Sequence, residues 1–345
     1  GMAAGCSSRP AVEESVQTSA ERTEAPSAEE QIVKPTAPSP SEIEPFPGAE
    51  KETKAEPLEG GKRIVVMTDI HYLAESLTDG GDMFQSMVEH GDGKLTNYVR
   101  EITDAAFEEI QLLTPDVLII SGDLSLQGEK RSHEELAGRL DALERAGIAV
   151  VVIPGNHDIN NPSAAVYSGM DRYPAEPTTP ADFVSIYSEF GYSEANSRDI
   201  HSLSYTYDLG PSMRLLMLDT CQYEPRNRVG GMIKTETYEW IDKELKAADE
   251  DGVILLPVAH HNLLEESKVY VDDCTIEHSE ELIQKLEGEN IPLFLSGHLH
   301  VQHYKSSRRY KIDEIVTSAL SVSPCQYGGL QFFGPENYFY STEMT

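Results

Sequence analysis

The chain has 345 residues, room for one large domain or two ordinary ones, and its 27 Lys and Arg against 59 Asp and Glu leave a net charge of −32. That charge excludes nucleic acid and an anionic membrane surface as nonspecific electrostatic partners, although metal cations can reverse the field inside one pocket and admit a phosphorylated substrate. No apolar run reaches the roughly 18 residues of a transmembrane helix, and Cys6, Cys221, Cys274 and Cys325 lack the CxxC spacing of a cysteine zinc site or thioredoxin-type motif.

Gly1 has the look of a tag-cleavage scar and is set aside. Ala3-Ala4-Gly5-Cys6, followed by Ser7-Ser8, resembles the end of a bacterial lipoprotein signal, where small residues precede a cysteine that becomes lipidated. Ala3 stands where leucine is usual. Residues 7–60 contain eight prolines, much Glu, Ser, Thr and Ala, and a single aromatic, Phe46. Such a segment cannot bury enough apolar surface to offset its ordering entropy. We therefore expect residues 1–60 to be a disordered tether that holds an extracytoplasmic domain, residues 61–345, to the cell membrane through a lipidated Cys6. Without that lipid the protein is secreted or cytoplasmic.

Gly60-Gly61 marks the boundary, and Arg63–Met67 opens the domain as a buried strand followed by Thr68-Asp69-Ile70-His71. A Gly/Asp-rich loop runs to about residue 93. Leu95, Val99, Ile102, Ala106 and Ile110 recur at helical spacing, which predicts an amphipathic helix over 95–113, ended by Pro115. Val117–Ile120 is a second strand, running into Ser121-Gly122-Asp123. A helix over about 132–146 carries Leu136, Leu140 and Leu143 on one stripe and stops at Gly147. Ile148–Val152 is then apolar throughout, a strand buried on both faces. Pro154-Gly155 ends it and places Asn156, His157 and Asp158 on the loop at its carboxyl end, where open α/β sheets build their sites. Strand, helix, strand, helix, strand predicts parallel βαβ units.

Residues 159–200 lose that rhythm and read as an insertion over the site, with a helical patch near Ala181–Phe190. Leu203–Leu209 alternates as a half-exposed antiparallel strand. Met213–Leu218 is a buried strand closing on Asp219, and 235–249 is a helix with Trp240, Ile241 and Leu245. Val253–Leu256 is another strand, running through Ala259 to His260-His261. A helix near 279–288 precedes the strand Pro292–Leu295, which ends in Ser296-Gly297-His298-Leu299-His300. Ile312–Val316 and the aromatic-rich end are expected to add antiparallel strands. No terminating feature follows, so the native chain is expected to run further.

Five strands thus end in residues that bind metals: Asp69 and His71, Asp123, Asn156 and His157, His260, and His298 and His300. One strand-end histidine is ordinarily a hydrogen-bonded loop residue, but five such endings on one rim supply the context a motif needs. Imidazole, carboxylate and amide donors without thiolate suit Mn, Fe or Zn. The donors are too many for one ion and fit two that share a carboxylate, with Asp123 central in chain order. Two ions about 3.5–4 Å apart activate hydroxide and stabilise an in-line displacement at phosphorus.

Asp69-Ile70-His71, Gly122-Asp123, Gly155-Asn156-His157-Asp158, His260 and Gly297-His298-Leu299-His300 resemble the ordered motifs of the calcineurin-like metallophosphoesterases, over about residues 63–320. The resemblance implies an α/β fold of the four-layer αββα sandwich type. It implies one ion on Asp69, His71, Asp123 and His300, and another on Asp123, Asn156, His260 and His298. It makes His157 the phosphate-facing catalytic residue, with Asp158 as the partner that fixes its tautomer. Many relatives carry His-His-Pro or His-Ser-Pro where this chain has His260-His261-Asn262, so either histidine can be the ligand. His303 lies past the motif and reads as a surface residue.

The expected function is a dinuclear metal-dependent phosphoesterase that cleaves a diester by attack of a metal-bound hydroxide. A phosphomonoesterase, a nucleotide pyrophosphatase or a metal-retaining surface binding lipoprotein are the alternatives. Specificity is expected from 159–200 and 262–278, whose tyrosines Tyr167, Tyr173, Tyr187, Tyr192 and Tyr270 can stack on a base, line a lipid groove or simply pack. The expected partner is the phosphate ester itself, with no nucleic-acid surface and no identifiable protein partner.

Overall fold

The computed structural model describes residues 60–268, 272–287, 291, 293–335 and 337–345. Cys6, the tether as far as residue 59, and Tyr270 lie outside them, as does the Pro292 start expected for one strand. Strand β1 (Lys62–Met67) is followed by helices α1 (Asp82–Glu89) and α2 (Val99–Leu113), strand β2 (Val117–Ser121), helix α3 (Lys130–Arg145) and strand β3 (Ala149–Ile153). A hairpin of β4 (Ala165–Ser168) and β5 (Asp171–Pro174), helix α4 (Pro180–Ile186) and the short strand β6 (Ser197–Arg198) lead to β7 (Tyr205–Asp208) and β8 (Met213–Leu218). Helix α5 (Thr235–Asp251), β9 (Ile254–Ala259), α6 (Ser279–Leu286), β10 (Leu293–Ser296), β11 (His303–Ser307), β12 (Ile312–Val316), β13 (Gln326–Gly334) and β14 (Asn337–Met344) complete the described chain.

Besides the two-stranded β4-β5 sheet, the described strands form two larger sheets, one in the order β14-β13-β1-β2-β3 and the other β11-β12-β10-β9-β8-β7-β6. The central strands β1, β2 and β3 are mutually parallel, as are β8, β9, β10 and β12. Side chains alternate across a strand, and in the second sheet that alternation divides the apolar residues between two cores. Met213, Leu215, Met217, Leu256, Val258 and Leu295 point into the core shared with the first sheet. Leu216, Leu218, Leu255 and Phe294 point the other way, onto Trp240, Ile241 and Leu245 of α5 and Leu282 and Leu286 of α6.

The far face of the first sheet is covered by Ala106, Phe107 and Ile110 of α2 and by Leu136, Leu140 and Leu143 of α3. Each leucine so buried contributes about 1.5–3 kcal/mol over an exposed one. Helix, sheet, sheet, helix is the expected four-layer arrangement.

Some local expectations differ. Helix α2 starts at Val99, after a single turn at Thr96–Tyr98. The Gly/Asp-rich loop contains α1, which buries Phe84 with Leu73, Leu77 and Tyr167 in a small separate cluster. Eight residues between glycines are too few for a clear helical period. Ile312–Val316 is parallel to β10, not antiparallel to it; its antiparallel neighbour is β11. Tyr187 and Tyr192 are buried in the main core and Tyr167 in the small cluster, while Tyr173 is exposed. No helix among the described residues is long and apolar enough to cross a membrane.

Candidate metal centre

The loops that leave β1, β2, β3, β9 and β10 meet at one end of the paired sheets. Asp69, His71, Asp123, His298 and His300 all have positive φ, between 48° and 71°. Residues with a Cβ rarely adopt this region, and it costs of order 1 kcal/mol or more each, so surrounding bonds must impose it. The backbone supplies them: Asp69 N–H donates to Gly122 O and His71 N–H to Asp123 O, each at 3.0 Å, and Gly297 N–H donates to His260 O at 3.0 Å. Gly155 is required by close approach, because a Cβ there would lie 2.2 Å from Asp123 Oδ1.

Each aspartate is split between two tasks. Asp69 Oδ2 accepts from Thr68 Oγ1 at 2.8 Å and from His298 N–H at 3.0 Å, which leaves Oδ1 facing His300 Nε2 at 3.1 Å. Asp123 Oδ1 accepts from His157 N–H at 2.8 Å. Its Oδ2 then lies 3.9 Å from His71 Nε2 on one side and 3.4 Å from His260 Nε2 on the other.

Two donor groups result, Asp69 with His71 and His300, and Asp123 with His260 and His298, the donor atoms of each within 4.8 Å of one another. A third, of His71, Asp123 and His157, joins them. Asn156 extends the second group, its Oδ1 lying 3.1 Å from His260 Nε2.

The donor set fits divalent cations. His260 Nδ1 is spent on Ser121 O at 2.9 Å and His298 Nε2 on Asp273 O at 3.0 Å, so both rings carry their outer proton on a carbonyl. Their inner nitrogens, His260 Nε2 and His298 Nδ1, face each other at 3.2 Å. His71 Nε2 and His300 Nε2 do the same at 3.1 Å. Ring nitrogens opposed at this range share a proton or a cation between them.

The proton equilibria agree with a demand for positive charge. Burial alone would lift the Asp123 carboxyl, but His260 and His157 hold it well below the ordinary carboxylate range. Burial would likewise depress His260, yet the Asp123 and Asp69 carboxylates push it up to about 9. Burial and then the neighbouring His260 bring His298 down to about 4. One proton on His260 Nε2 would have three acceptors, Asn156, Asp123 and His298, which is the geometry of a larger cation.

The structure separates the two candidate histidines of the fourth motif. His260 turns Nε2 to the centre, whereas both nitrogens of His261 are occupied, by Thr220 Oγ1 and by Val229 O, each at 2.8 Å. Asn262, the departure from the family pattern, donates through Nδ2 to Ser296 Oγ at 3.0 Å and Gly297 O at 3.1 Å, pinning the loop that carries His298. His303 is exposed and pairs with Glu266.

His157 lies beside these donors, its Nε2 3.9 Å from Asp123 Oδ2. Its expected partner is corrected. His157 Nδ1 bonds Leu126 O at 2.7 Å, so a backbone carbonyl fixes the tautomer, not Asp158. The Asp158 carboxylate instead accepts from Leu124 N–H, Ser125 N–H, Ser125 Oγ and Gly155 N–H at 2.8–3.1 Å, tying the second motif loop to the third. Its place next to His157 in sequence concealed this, because consecutive loop residues face opposite ways. Asn227 is a support that the sequence gives no sign of: its Nδ2 donates to Asn156 O at 2.7 Å and Ile159 O at 2.9 Å.

The calcineurin-like phosphoesterase family model matches residues 62–302. The chain is 26% identical over 197 residues to a probable cyclic nucleotide phosphodiesterase of a Synechococcus strain, a match covering 57% of this chain and 62% of that protein. It is 25% identical over 248 residues to a 3',5'-cyclic-nucleotide phosphodiesterase of a Nostoc strain, covering 71% and 73%. A solved dimetal phosphatase from Danio rerio shares the fold with a TM-score of 0.56 at 13% identity, covering 81% of this chain and 98% of its own. Matching residues 62–302 and bringing the family's strand-end motifs to one donor cluster, the chain belongs to the calcineurin-like phosphoesterases, metal-dependent hydrolases of phosphoric esters.

Proposed function

We propose that the protein hydrolyses a phosphodiester, with cyclic nucleotides as the substrate class, using two divalent ions of the Mn, Fe or Zn kind. The observation that carries the dinuclear reading is that one oxygen, Asp123 Oδ2, faces both donor groups. The diester reading is supported by the relatives named as cyclic nucleotide phosphodiesterases. Ions held by Asp69, His71, Asp123 and His300, and by Asp123, Asn156, His260 and His298, would supply an acidified water and polarise the phosphoryl oxygens.

The chain's own groups do the rest. The fixed carboxylate oxygens and imidazoles orient the centre without reorganisation during the reaction. His157, with Nδ1–H held by Leu126 O, presents Nε2 where it can hold or deliver a proton at the leaving oxygen. The test is turnover of metal-loaded protein on bis(p-nitrophenyl) phosphate, p-nitrophenyl phosphate, a 3',5'-cyclic nucleotide and a dinucleotide pyrophosphate. Diesters should be preferred. Faster cleavage of the monoester or the pyrophosphate overturns the substrate class, and loaded protein inert toward every ester leaves the surface-binding reading in its place.

Attachment to the membrane through Cys6 belongs to the same proposal and is supported by the small residues before Cys6 and the composition of residues 7–60. Cys6→Ser in the precursor, expressed in a bacterium, should move the protein out of the membrane fraction. Continued membrane association sinks the lipid anchor.

A further inference from the structure

The Leu126–Gln127 peptide carries a hydrogen bond at each end. Its carbonyl accepts from His157 Nδ1–H at 2.7 Å, and its N–H donates to Glu129 Oε2 at 3.1 Å. The segment around it is closely fitted: Leu126 N–H donates to Tyr72 O at 2.9 Å, and a Cβ on Gly128 would lie 2.8 Å from His157 O. Asn161 Nδ2 ties the same two loops, donating to His157 O and to Gln127 Oε1, each at 3.0 Å. Glu129 is fully buried, and its Oε1 has no partner among the described residues. It stands at the start of α3, yet its side chain accepts no capping bond from that helix. The nearby cations are paired elsewhere, Lys130 with Glu176 and Asp182 at 3.1 and 3.0 Å and Arg131 with Glu134 at 3.3 Å. A dry carboxyl that neither caps a helix nor meets a cation weakens the fold, so its place here points to a task beyond stability.

We infer that Glu129 is a positioning residue for His157, acting through the Leu126–Gln127 peptide. An acceptor on the N–H side of an amide polarises it and makes its carbonyl oxygen a stronger acceptor. It also fixes the plane of the peptide, and with it the direction in which the His157 ring is held. Ser132 Oγ, which donates to the same Glu129 Oε2 at 3.3 Å, steadies the carboxyl. The inference rests on the proton transfer proposed for His157. In that step the proton on Nε2 passes to the leaving oxygen as its bond to phosphorus breaks and the oxygen of water bonds to phosphorus. The ring keeps its other proton on Nδ1, held by the Leu126 carbonyl before and after. A ring held in this way neither turns nor changes tautomer while the proton leaves Nε2.

Kinetics and ring spectroscopy of the metal-loaded protein test this. Glu129→Ala should keep the metal content of the parent and lower kcat on a 3',5'-cyclic nucleotide, whose leaving group is an alkoxide. The expected loss is about 10- to 100-fold, the scale of a misplaced reacting group, with KM changed less. On bis(p-nitrophenyl) phosphate the loss should be smaller. Added to His157→Ala, Glu129→Ala should cost nothing more, because the two residues act as a unit. Glu129→Gln, which keeps an acceptor for Gln127 N–H, should recover most of the activity. If Glu129→Ala does not fold, Glu129→Met fills the space without an oxygen acceptor and carries the same readouts. Independently of turnover, the Nδ1–H proton resonance of His157 in the zinc-loaded protein, identified by its loss in His157→Ala, should move upfield in Glu129→Ala and stay in place in Glu129→Gln. An unmoved resonance overturns the inference, as do equal losses on the two esters, a further loss in the double variant, or loss of metal from Glu129→Ala. A parent inert toward both esters whose ring resonance still moves in Glu129→Ala would overturn the proposed function and leave Glu129 as the residue that orients His157.

Discussion

The backbone N–H of His157 donates to Asp123 Oδ1 at 2.8 Å, while its imidazole Nε2 stands 3.9 Å from Oδ2 of the same carboxylate. The main chain of one residue therefore orients the carboxylate that faces both donor groups, and its imidazole takes no part in that bond. His157→Ala keeps the first bond and removes only the ring. It should retain both metals by elemental analysis and lose activity by about 10²–10⁴-fold, the usual range for a general acid. The loss should be smaller for nitrophenyl than for alkyl leaving groups, which need the proton more. Equal losses would reduce His157 to a positioning role, and loss of metal would make it a ligand.

Asp123→Asn preserves an acceptor for the His157 N–H but removes the negative charge between the two donor groups. Metal content and activity should fall together, because two adjacent dications repel unless a shared carboxylate offsets them. Two equivalents of metal remaining in Asp123→Asn would place the bridge on another group.

Asp158→Ala strips acceptors from three buried N–H groups and a hydroxyl at once. A buried unsatisfied donor costs about 1–3 kcal/mol, so the variant should lose several kcal/mol in urea unfolding. Asp158 is thus a fastener between the second and third motif loops. Unaltered stability with activity abolished would restore it to a direct chemical role.

Burial pushes the Glu129 carboxyl up to about 7, and one of its oxygens has no partner among the described residues. In the unfolded chain a glutamate titrates near about 4.3. The contribution of this group is therefore fully present below that value and is lost as pH rises through about 7, where the folded protein must ionise a buried acid. Glu129→Gln keeps an acceptor for Gln127 N–H and Ser132 Oγ without that penalty. Its melting temperature should rise relative to the parent between about pH 5 and pH 8. Parallel curves across that range would show that Glu129 ionises as freely in the fold as out of it.

Much of this protein is written in local pattern. Runs such as Val117–Ile120 and Val150–Val152 are buried on both faces wherever they sit in a parallel sheet, and the leucine stripe of α3 needs no partner to be seen. Each strand-end motif is likewise local, so Asp69, His71, Asp123, Asn156, His157, His298 and His300 are legible as a set, with His260 or His261 completing it. What the sequence leaves open is direction in space. His260 and His261 are chemically identical neighbours, and only the loop from Thr220 to Val229, folded against one of them, decides which faces the centre. Asp158 follows His157 in the chain but points into the β2 loop. The carbonyl of Leu126 and the amide of Asn227 come from segments with no motif, because a backbone carbonyl or a lone loop residue leaves no periodic trace. Sequence fixes which chemistry is present when the chemistry is carried by neighbours in the chain. Contacts between distant segments decide which atoms meet, since those depend on how two sheets and their loops are packed together.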